Sequence, residues 1–304
     1  IGKDFLQISD MNPEEIESSV AKAMEMKKGS MPGRLEGKTI ALLFEKPSLR
    51  TRVSFEIGIR QLGGEAIYLS NSEVALGVRE PVADVTRVLD RWVDGIIARV
   101  SSHSNLELMA QNATIPVINA LSEIEHPCQA MADLLTIMEY KGKFPGQKVA
   151  FIGDGNNVAA SLAVACGSVG IHFTIAVPEG YEIDSDTFQQ AIDRGAKSGS
   201  TIESGRSPIM AVTDADVVYT DVWVSMGQEN ELAKRMKAFQ GYQVNNSLMD
   251  YAKPSAIFLH DMPAHQGDEI SEDMLDHPKS VVFTQAENRL HAQKALMVDL
   301  FNSS

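Results

Sequence analysis

The chain has 304 residues, 44% hydrophobic and 22% charged, the composition of an ordinary globular protein of about two domains. Its formal charge of −14 argues against nucleic acid as a partner, and no apolar run approaches the ~20 residues of a membrane span. The two cysteines, Cys128 and Cys166, cannot build a disulfide framework and sit in no metal-ligand spacing. Nothing at the start, Ile1 rather than Met, reads as an export signal, so a cytoplasmic protein is expected.

The first apolar run, Thr39–Phe44, reads as a buried strand, and residues 53–62 read as a helix. Between them lies Glu45-Lys46-Pro47-Ser48-Leu49-Arg50-Thr51-Arg52, a turn rich in hydroxyls and guanidinium groups. Free backbone N–H groups and the helix dipole favour an anion at such a strand-to-helix turn, with Arg50 and Arg52 adding charge-assisted bonds. A solvated basic turn capped by Ser48 is the plainer alternative.

Further strands are expected at 66–69, 95–100 and 115–119, with helices at 82–93 and 105–111 between them. Residues 128–138 show helical spacing and read as a helix bridging two domains. A hinge is expected at 141–146. Strands at 148–153, 172–177, 216–220, 256–260 and 281–283 follow, then a last helix over about 286–301. Alternation of strand and helix predicts an α/β fold, two doubly wound parallel-sheet domains joined by interdomain helices. The expected domains are 1–140 and 141–285, with the C-terminal helix, 286–304, packing back on the first.

Ligands of such sheets bind beyond the carboxyl ends of strands. The unusual polar residues sit there: residues 48–52, Arg99, His126, Asn156 and Asn157, residues 221–226, 260–263 and 285–289. Gly153-Asp154-Gly155-Asn156-Asn157 is a poor dinucleotide motif, because Val158 replaces its third glycine and no clear ribose-binding acid ends the next strand. His126 at a helix start is expected to stay neutral and donate to a carbonyl oxygen, or else to cap or pack. Cys128 has no support as a nucleophile. Asp221 and Asp261 are candidate cation ligands or simple turn residues. Arg289 is suited to a phosphate or to Glu287 beside it.

Together these segments resemble the aspartate/ornithine carbamoyltransferase family over nearly the whole chain. Residues 44–52 resemble its F-E-x-x-S-T/L-R-T-R loop, and His126-Pro127-Cys128-Gln129 its H-P-C-Q. Asp221-Val222-Trp223-Val224-Ser225-Met226-Gly227 resembles the D-x-W-x-S-M-G loop of the ornithine-type members. The resemblance implies transfer of the carbamoyl group of carbamoyl phosphate to the side-chain amine of L-ornithine, giving L-citrulline and phosphate. It implies no cofactor and no metal, and a homotrimer, or a multiple of trimers, with active sites shared between subunits. By resemblance, Ser48, Leu49, Arg50, Thr51, Arg99, His126, Gln129 and Arg289 bind carbamoyl phosphate, and Leu49 acts largely through its backbone. Asn157, Asp221, Ser225, Met226, Asp261 and Met262 match the ornithine side. Arg99, His126, Asp221 and Asp261 match the catalytic positions. The chemistry expected is polarisation of the carbonyl by Arg99 and His126, neutralisation of the leaving phosphate by Arg50, Arg52 and Arg289, and proximity of two substrates in an interdomain cleft.

Two positions depart from the family. Its H-C-L-P reads His260-Asp261-Met262-Pro263, so an acid of ordinary pKa about 3.9 replaces a thiol of about 8.5. Its Q-L-G-R-G-E reads Ala75-Leu76-Gly77-Val78-Arg79-Glu80, and Ala75 cannot make the contact of that glutamine. The departures keep two alternatives open: a carbamoyltransferase for another amine, and an impaired paralogue that only binds or builds. Pro263 is expected to hold Met262 extended.

Overall fold

The computed structural model describes residues 2–29, 35–225 and 227–301. It divides into two compact units, Ile1–Leu135 with Glu287–Ser304, and Thr136–Ala286.

The first unit opens with α1 (Pro13–Lys27), whose start is written locally: Asn12 accepts from the Glu15 N–H, Glu15 returns the bond, and Pro13 takes the first helical position. Then come β1 (Thr39–Phe44), α2 (Leu49–Gln61), β2 (Glu65–Ser70), α3 (Asn71–Val74) and α4 (Val82–Leu89). They are followed by β3 (Gly95–Arg99), α5 (His103–Asn112), β4 (Val117–Leu121) and the beginning of α6 (Pro127–Lys141). All pairings are parallel, in the order β2-β1-β3-β4. The two inner strands are almost wholly buried, and a sheet covered on both faces demands such continuous apolar runs.

The second unit carries β5 (Lys148–Ile152), α7 (Asn157–Val169), β6 (His172–Ala176), α8 (Ser185–Ser198), β7 (Ile202–Gly205) and α9 (Pro208–Val212). It continues through β8 (Val217–Thr220), α10 (Leu232–Ala238), α11 (Asn246–Met249), β9 (Ile257–His260) and the first turn of α12 (Val282–Phe301). Its parallel strands run β7-β6-β5-β8-β9. Both sheets therefore wind outward in two directions from their first strand, as the doubly wound expectation requires. Helix α7 is buried along its length, which its many small residues permit. It meets α8 closely at Gly167, where a Cβ would stand 2.5 Å from the Ala191 carbonyl oxygen.

Two expectations fail. Residues 281–283 are not a strand. Val281 donates to the Phe258 carbonyl and Phe258 to that of Lys279, one bridge along the edge of β9, and the chain then turns into α12 at Val282. A three-residue apolar run cannot distinguish a strand from the start of a buried helix. The missing fifth strand is β7, an edge strand with only its first residue buried, and its polar surface hides it in the sequence. Helix α12 accordingly starts four residues before the expected 286, and Phe301 near its end packs on Gly95, where a Cβ would lie 2.3 Å from the ring.

Gly155 shows why the Gly153–Asn157 turn has its glycines. A Cβ there would stand 2.2 Å from Ile183 N and 2.7 Å from the Tyr181 carbonyl oxygen, to which Gly155 donates its N–H at 2.8 Å. Backbone presses on backbone, so the residue serves packing rather than a pyrophosphate. Gly155→Ala is expected to destabilise the chain by about 1–3 kcal/mol, seen as a lower urea midpoint; an unmoved midpoint would mean that residues 181–183 yield freely.

Candidate functional site

In the first sheet the winding reverses between β1 and β3, and the residues that leave these strand ends meet there. Ser48 caps α2, accepting from the Thr51 N–H at 3.3 Å, and its hydroxyl donates to Thr51 Oγ1 at 3.0 Å. Thr51 Oγ1 also accepts from Arg99 Nη1 at 3.5 Å and from Arg289 Nη2 at 3.2 Å. Arg289 Nη1 donates to Gln129 Oε1 at 2.6 Å, and Gln129 Nε2 is held by Asp133 Oδ1 at 2.8 Å. Thr51, Arg99, Gln129 and Arg289 are all buried. Two buried guanidinium groups thus converge on neutral acceptors at the N-terminus of a 13-residue helix, an arrangement whose charge suits an anion.

His126 precedes the first residue of α6 and is buried with this cluster. Burial, and then the charges of Arg289 and Arg99, hold its imidazole well below the usual histidine range, so it is neutral at physiological pH. Cys128 donates its thiol to the Asn119 carbonyl at 3.3 Å, and burial pushes it up to about 12, which rules out a thiolate nucleophile at neutral pH.

Not every arginine of the turn joins. Arg50 is half-buried, whereas Arg52 is turned to its own helix, with Nε 2.8 Å from Glu56 Oε1 and its guanidinium carbon 3.7 Å from the centre of the Tyr68 ring. The expected contribution of Arg52 to the anion is therefore withdrawn. Glu56, one turn further along the same face of α2, captures its guanidinium. Arg289 resolves the other way: Glu287 faces Lys27 at 3.4 Å, leaving Arg289 to Gln129 and Thr51. It stands in the second turn of α12, not beyond a strand as expected. Leu49 is 74% exposed, which fits a residue that acts through its backbone. Ala75 ends α3 in the left-handed region, φ 45°, and Arg79 Nη1 donates to the Glu73 carbonyl at 3.3 Å.

In the second sheet the winding reverses between β5 and β8, and Asn156 and Asp221 meet past those strands. Asn156 caps α7 by accepting from Val158 and Ala159, and its Nδ2 donates to Asp221 Oδ2 at 2.6 Å. Val222 N–H donates to Asp221 Oδ1 at 2.7 Å. Asp221, His260 and Asp261 each bring a ligand-type atom within 4.8 Å of the others. Asn157 is the first residue of α7, and the Ser225 N–H is taken by Gln228 Oε1 at 3.1 Å. Met226 lies outside the described residues.

Met262 is not extended as expected: its φ is 62°, with a cis bond to Pro263. Its N–H donates back to His260 Nδ1 at 2.9 Å, closing a tight turn. Sequence reading also passed over Asp154 and Arg235. Arg235 Nη1 bonds Asp154 Oδ2 at 2.7 Å and the Trp223 carbonyl at 3.0 Å, tying the Gly153–Asn157 turn to the loop after β8. Burial pushes the Asp154 carboxyl up to about 6 despite Arg235, with Asp221 and Glu231 adding to the rise. The pair is 81 residues apart in sequence, so no local pattern announces it.

The chain that carries these two strand-end clusters is similar to known proteins. Residues 3–139 fit the family model of the aspartate/ornithine carbamoyltransferase carbamoyl-P binding domain, and residues 145–300 fit that of the Asp/Orn binding domain. The chain belongs to the aspartate/ornithine carbamoyltransferase family. Within the family it is 51% identical over 300 residues to an ornithine carbamoyltransferase of Thermococcus kodakarensis, covering 97% of this chain and 95% of that protein. It is 50% identical over 296 residues to that of Bacillus subtilis, covering 97% and 93%. The solved ornithine carbamoyltransferase of Pyrococcus furiosus superposes with a TM-score of 0.96 at 48% identity, covering 100% of this chain and 98% of that one. The family's cysteine position, here Asp261, lies in the Asp221–His260–Asp261 group, with Asp261 Oδ1 3.6 Å from His260 Nδ1.

The depressed His126 pKa has a stability consequence. Above pH 6.5 both folded and unfolded chains hold His126 neutral and its contribution is complete; below it the unfolded chain gains a proton that the fold resists. Stability from this group therefore declines as pH falls below about 6.5. Asp154, raised to about 6, acts with the opposite sign, losing stability as pH rises through that value. Urea melts from pH 5 to 7.5 are expected to show a flatter acid-side decline for His126→Gln than for the parent; parallel curves would contradict a depressed His126.

Proposed function

We propose that the chain is an ornithine carbamoyltransferase, moving the carbamoyl group of carbamoyl phosphate to the side-chain amine of L-ornithine, with L-citrulline and phosphate as products. The observation that carries this reading is the convergence of Arg99 and Arg289 on Thr51 at the start of α2, with buried, neutral His126 near enough to feel both charges. An anion with a polarisable carbonyl is what such a group would recognise. The names of relatives near 50% identity supply the amine.

In this reading the first unit, near residues 1–140 with the C-terminal helix, binds carbamoyl phosphate. The Ser48 hydroxyl, the Leu49 backbone, Arg50 and Thr51 take the phosphate oxygens. Arg99 and His126 donate to the carbamoyl oxygen as negative charge develops on it, and a neutral imidazole can donate without repelling either arginine. Gln129 and Arg289 complete the cradle. The second unit, near 141–285, binds ornithine through Asn157, Asp221, Ser225, Met226, Asp261 and Met262. The amine nitrogen forms a bond to the carbamoyl carbon, the carbon–oxygen bond to phosphate breaks, and the nitrogen gives up a proton.

The assembly is a homotrimer or a multiple of one. Its support is the stripe of Leu49, Val53 and Ile57, spaced one turn apart on α2 and 74%, 45% and 38% exposed. The working compartment is the cytoplasm, in keeping with two buried cysteines that form no disulfide.

The test is citrulline formation measured over a panel of amines with carbamoyl phosphate. Turnover with ornithine above putrescine and shorter diamino acids is expected; ligand binding without turnover would refute the reading. Arg99→Ala is expected to lower kcat by about 10²–10³-fold, and loss confined to KM would remove Arg99 from the transition state. A carboxylate near the amine keeps it protonated, and a protonated amine cannot attack. Asp261→Cys is therefore expected to move the acid limb of kcat/KM for ornithine to lower pH, and an unchanged profile would dismiss that role.

A further inference from the structure

The loop after β9 holds a second group of ligand-type side chains that the proposed transfer does not use. His265 Nδ1 and a carboxylate oxygen each from Asp268 and Glu269 lie within 4.8 Å of one another. Glu269 has no exposed surface. Its Oε1 is well supplied, accepting from His260 Nε2 at 3.1 Å and from the His265 backbone N–H. Its Oε2 accepts no hydrogen bond among the described residues and stands 4.0 Å from His265 Nδ1. That separation is too long for a hydrogen bond. A buried carboxylate oxygen stripped of water and given no donor calls for an explanation, and an ion is one.

The surroundings supply the rest of what a cation needs. Asp268 lines an open cavity of about 650 Å³ whose wall also includes Gln240, Gln243, Asn245 and the cationic Lys237, so solvent reaches the group on the Asp268 side. The His265 side chain is 51% exposed and can rotate toward its partners. Two ligands at 2.0–2.2 Å from a tetrahedral ion stand roughly 3.4 Å apart, so only a small movement closes the 4.0 Å gap. An imidazole nitrogen beside two carboxylates suits first-row divalent ions better than magnesium or calcium, which prefer oxygen alone.

We propose that His265, Asp268 and Glu269 bind a first-row divalent cation of the zinc class, with water filling its remaining positions. Glu269 would then serve two partners at once, the ion through Oε2 and His260 through Oε1. The ion would fix the loop that joins His260 and Asp261 to Glu269, apart from any step of the carbamoyl transfer.

The probe is Co²⁺, whose visible absorption reports its ligands. Chelator-treated protein is titrated with Co²⁺, and Zn²⁺ is then added to displace it. One saturable Co²⁺ per chain is expected, weakened at least about tenfold by His265→Ala and by Asp268→Asn, and retained in Asp261→Asn. Circular dichroism of each variant establishes that it folds, and neither His265 nor Asp268 is a core residue. No saturable uptake up to about 1 mM, uptake that ignores both variants, or uptake lost instead in Asp261→Asn would overturn the proposal. The last result would move the ion to the Asp221–His260–Asp261 group. Because the readout is binding, it stands or falls separately from the amine assay.

Discussion

A parallel sheet that winds both ways from its first strand has one place where neighbouring connections leave on opposite sides, and there the strand ends are uncovered. Both units of this chain are built around that gap. In the first it separates β1 from β3, in the second β5 from β8. The backbone that fills it cannot find partners in the sheet, so side chains and helix caps must satisfy it. Ser48 does this at α2 and Asn156 at α7, and each capping residue also holds a functional candidate, Thr51 in one case and Asp221 in the other. The same atoms that start the helices therefore set the chemistry of the gaps.

The buried arginines of the two units differ in their partners. Arg235 meets Asp154 directly, with both side chains 8% exposed, and its other bonds go to Glu231 and to the Trp223 backbone carbonyl. Such a pair is complete without a ligand. Arg99 and Arg289 each donate to the Thr51 hydroxyl, and Arg289 also to the Gln129 amide, so neutral groups help to orient both guanidiniums. His126 completes the contrast: because it is neutral, it adds a donor to the cluster without adding a third positive charge.

Much of this was legible in the sequence, for physical reasons. Continuous apolar runs betray strands buried on both faces, so β1, β3, β5 and β8 were found close to their bounds. The edge strand β7 was not, since three of its four residues face solvent. The strand-end rule located Thr51, Arg99, His126 and Asp221 without any contact information. It failed for Arg52, because a helix carries it around to Glu56. It also offered nothing on Asp154 with Arg235, or on Glu269, whose environments are made by residues distant in sequence or by burial alone. The glycines of the Gly153–Asn157 turn were ambiguous until the backbone at 181–183 was seen against Gly155.

Helix α12 gives the first unit a late addition. Residues up to 135 form its sheet, yet its remaining part is Glu287–Ser304, on the far side of the whole second unit in the order of the chain. During synthesis, which runs from the N-terminus at about 5–20 residues per second, the second unit is fully translated before the first has all its pieces. Arg289 follows the whole second unit in chain order, so Thr51 and Gln129 are made well before the guanidinium that joins them. A nascent chain that has not yet reached Arg289 carries the turn at Ser48 in full and still lacks the second guanidinium of the cluster.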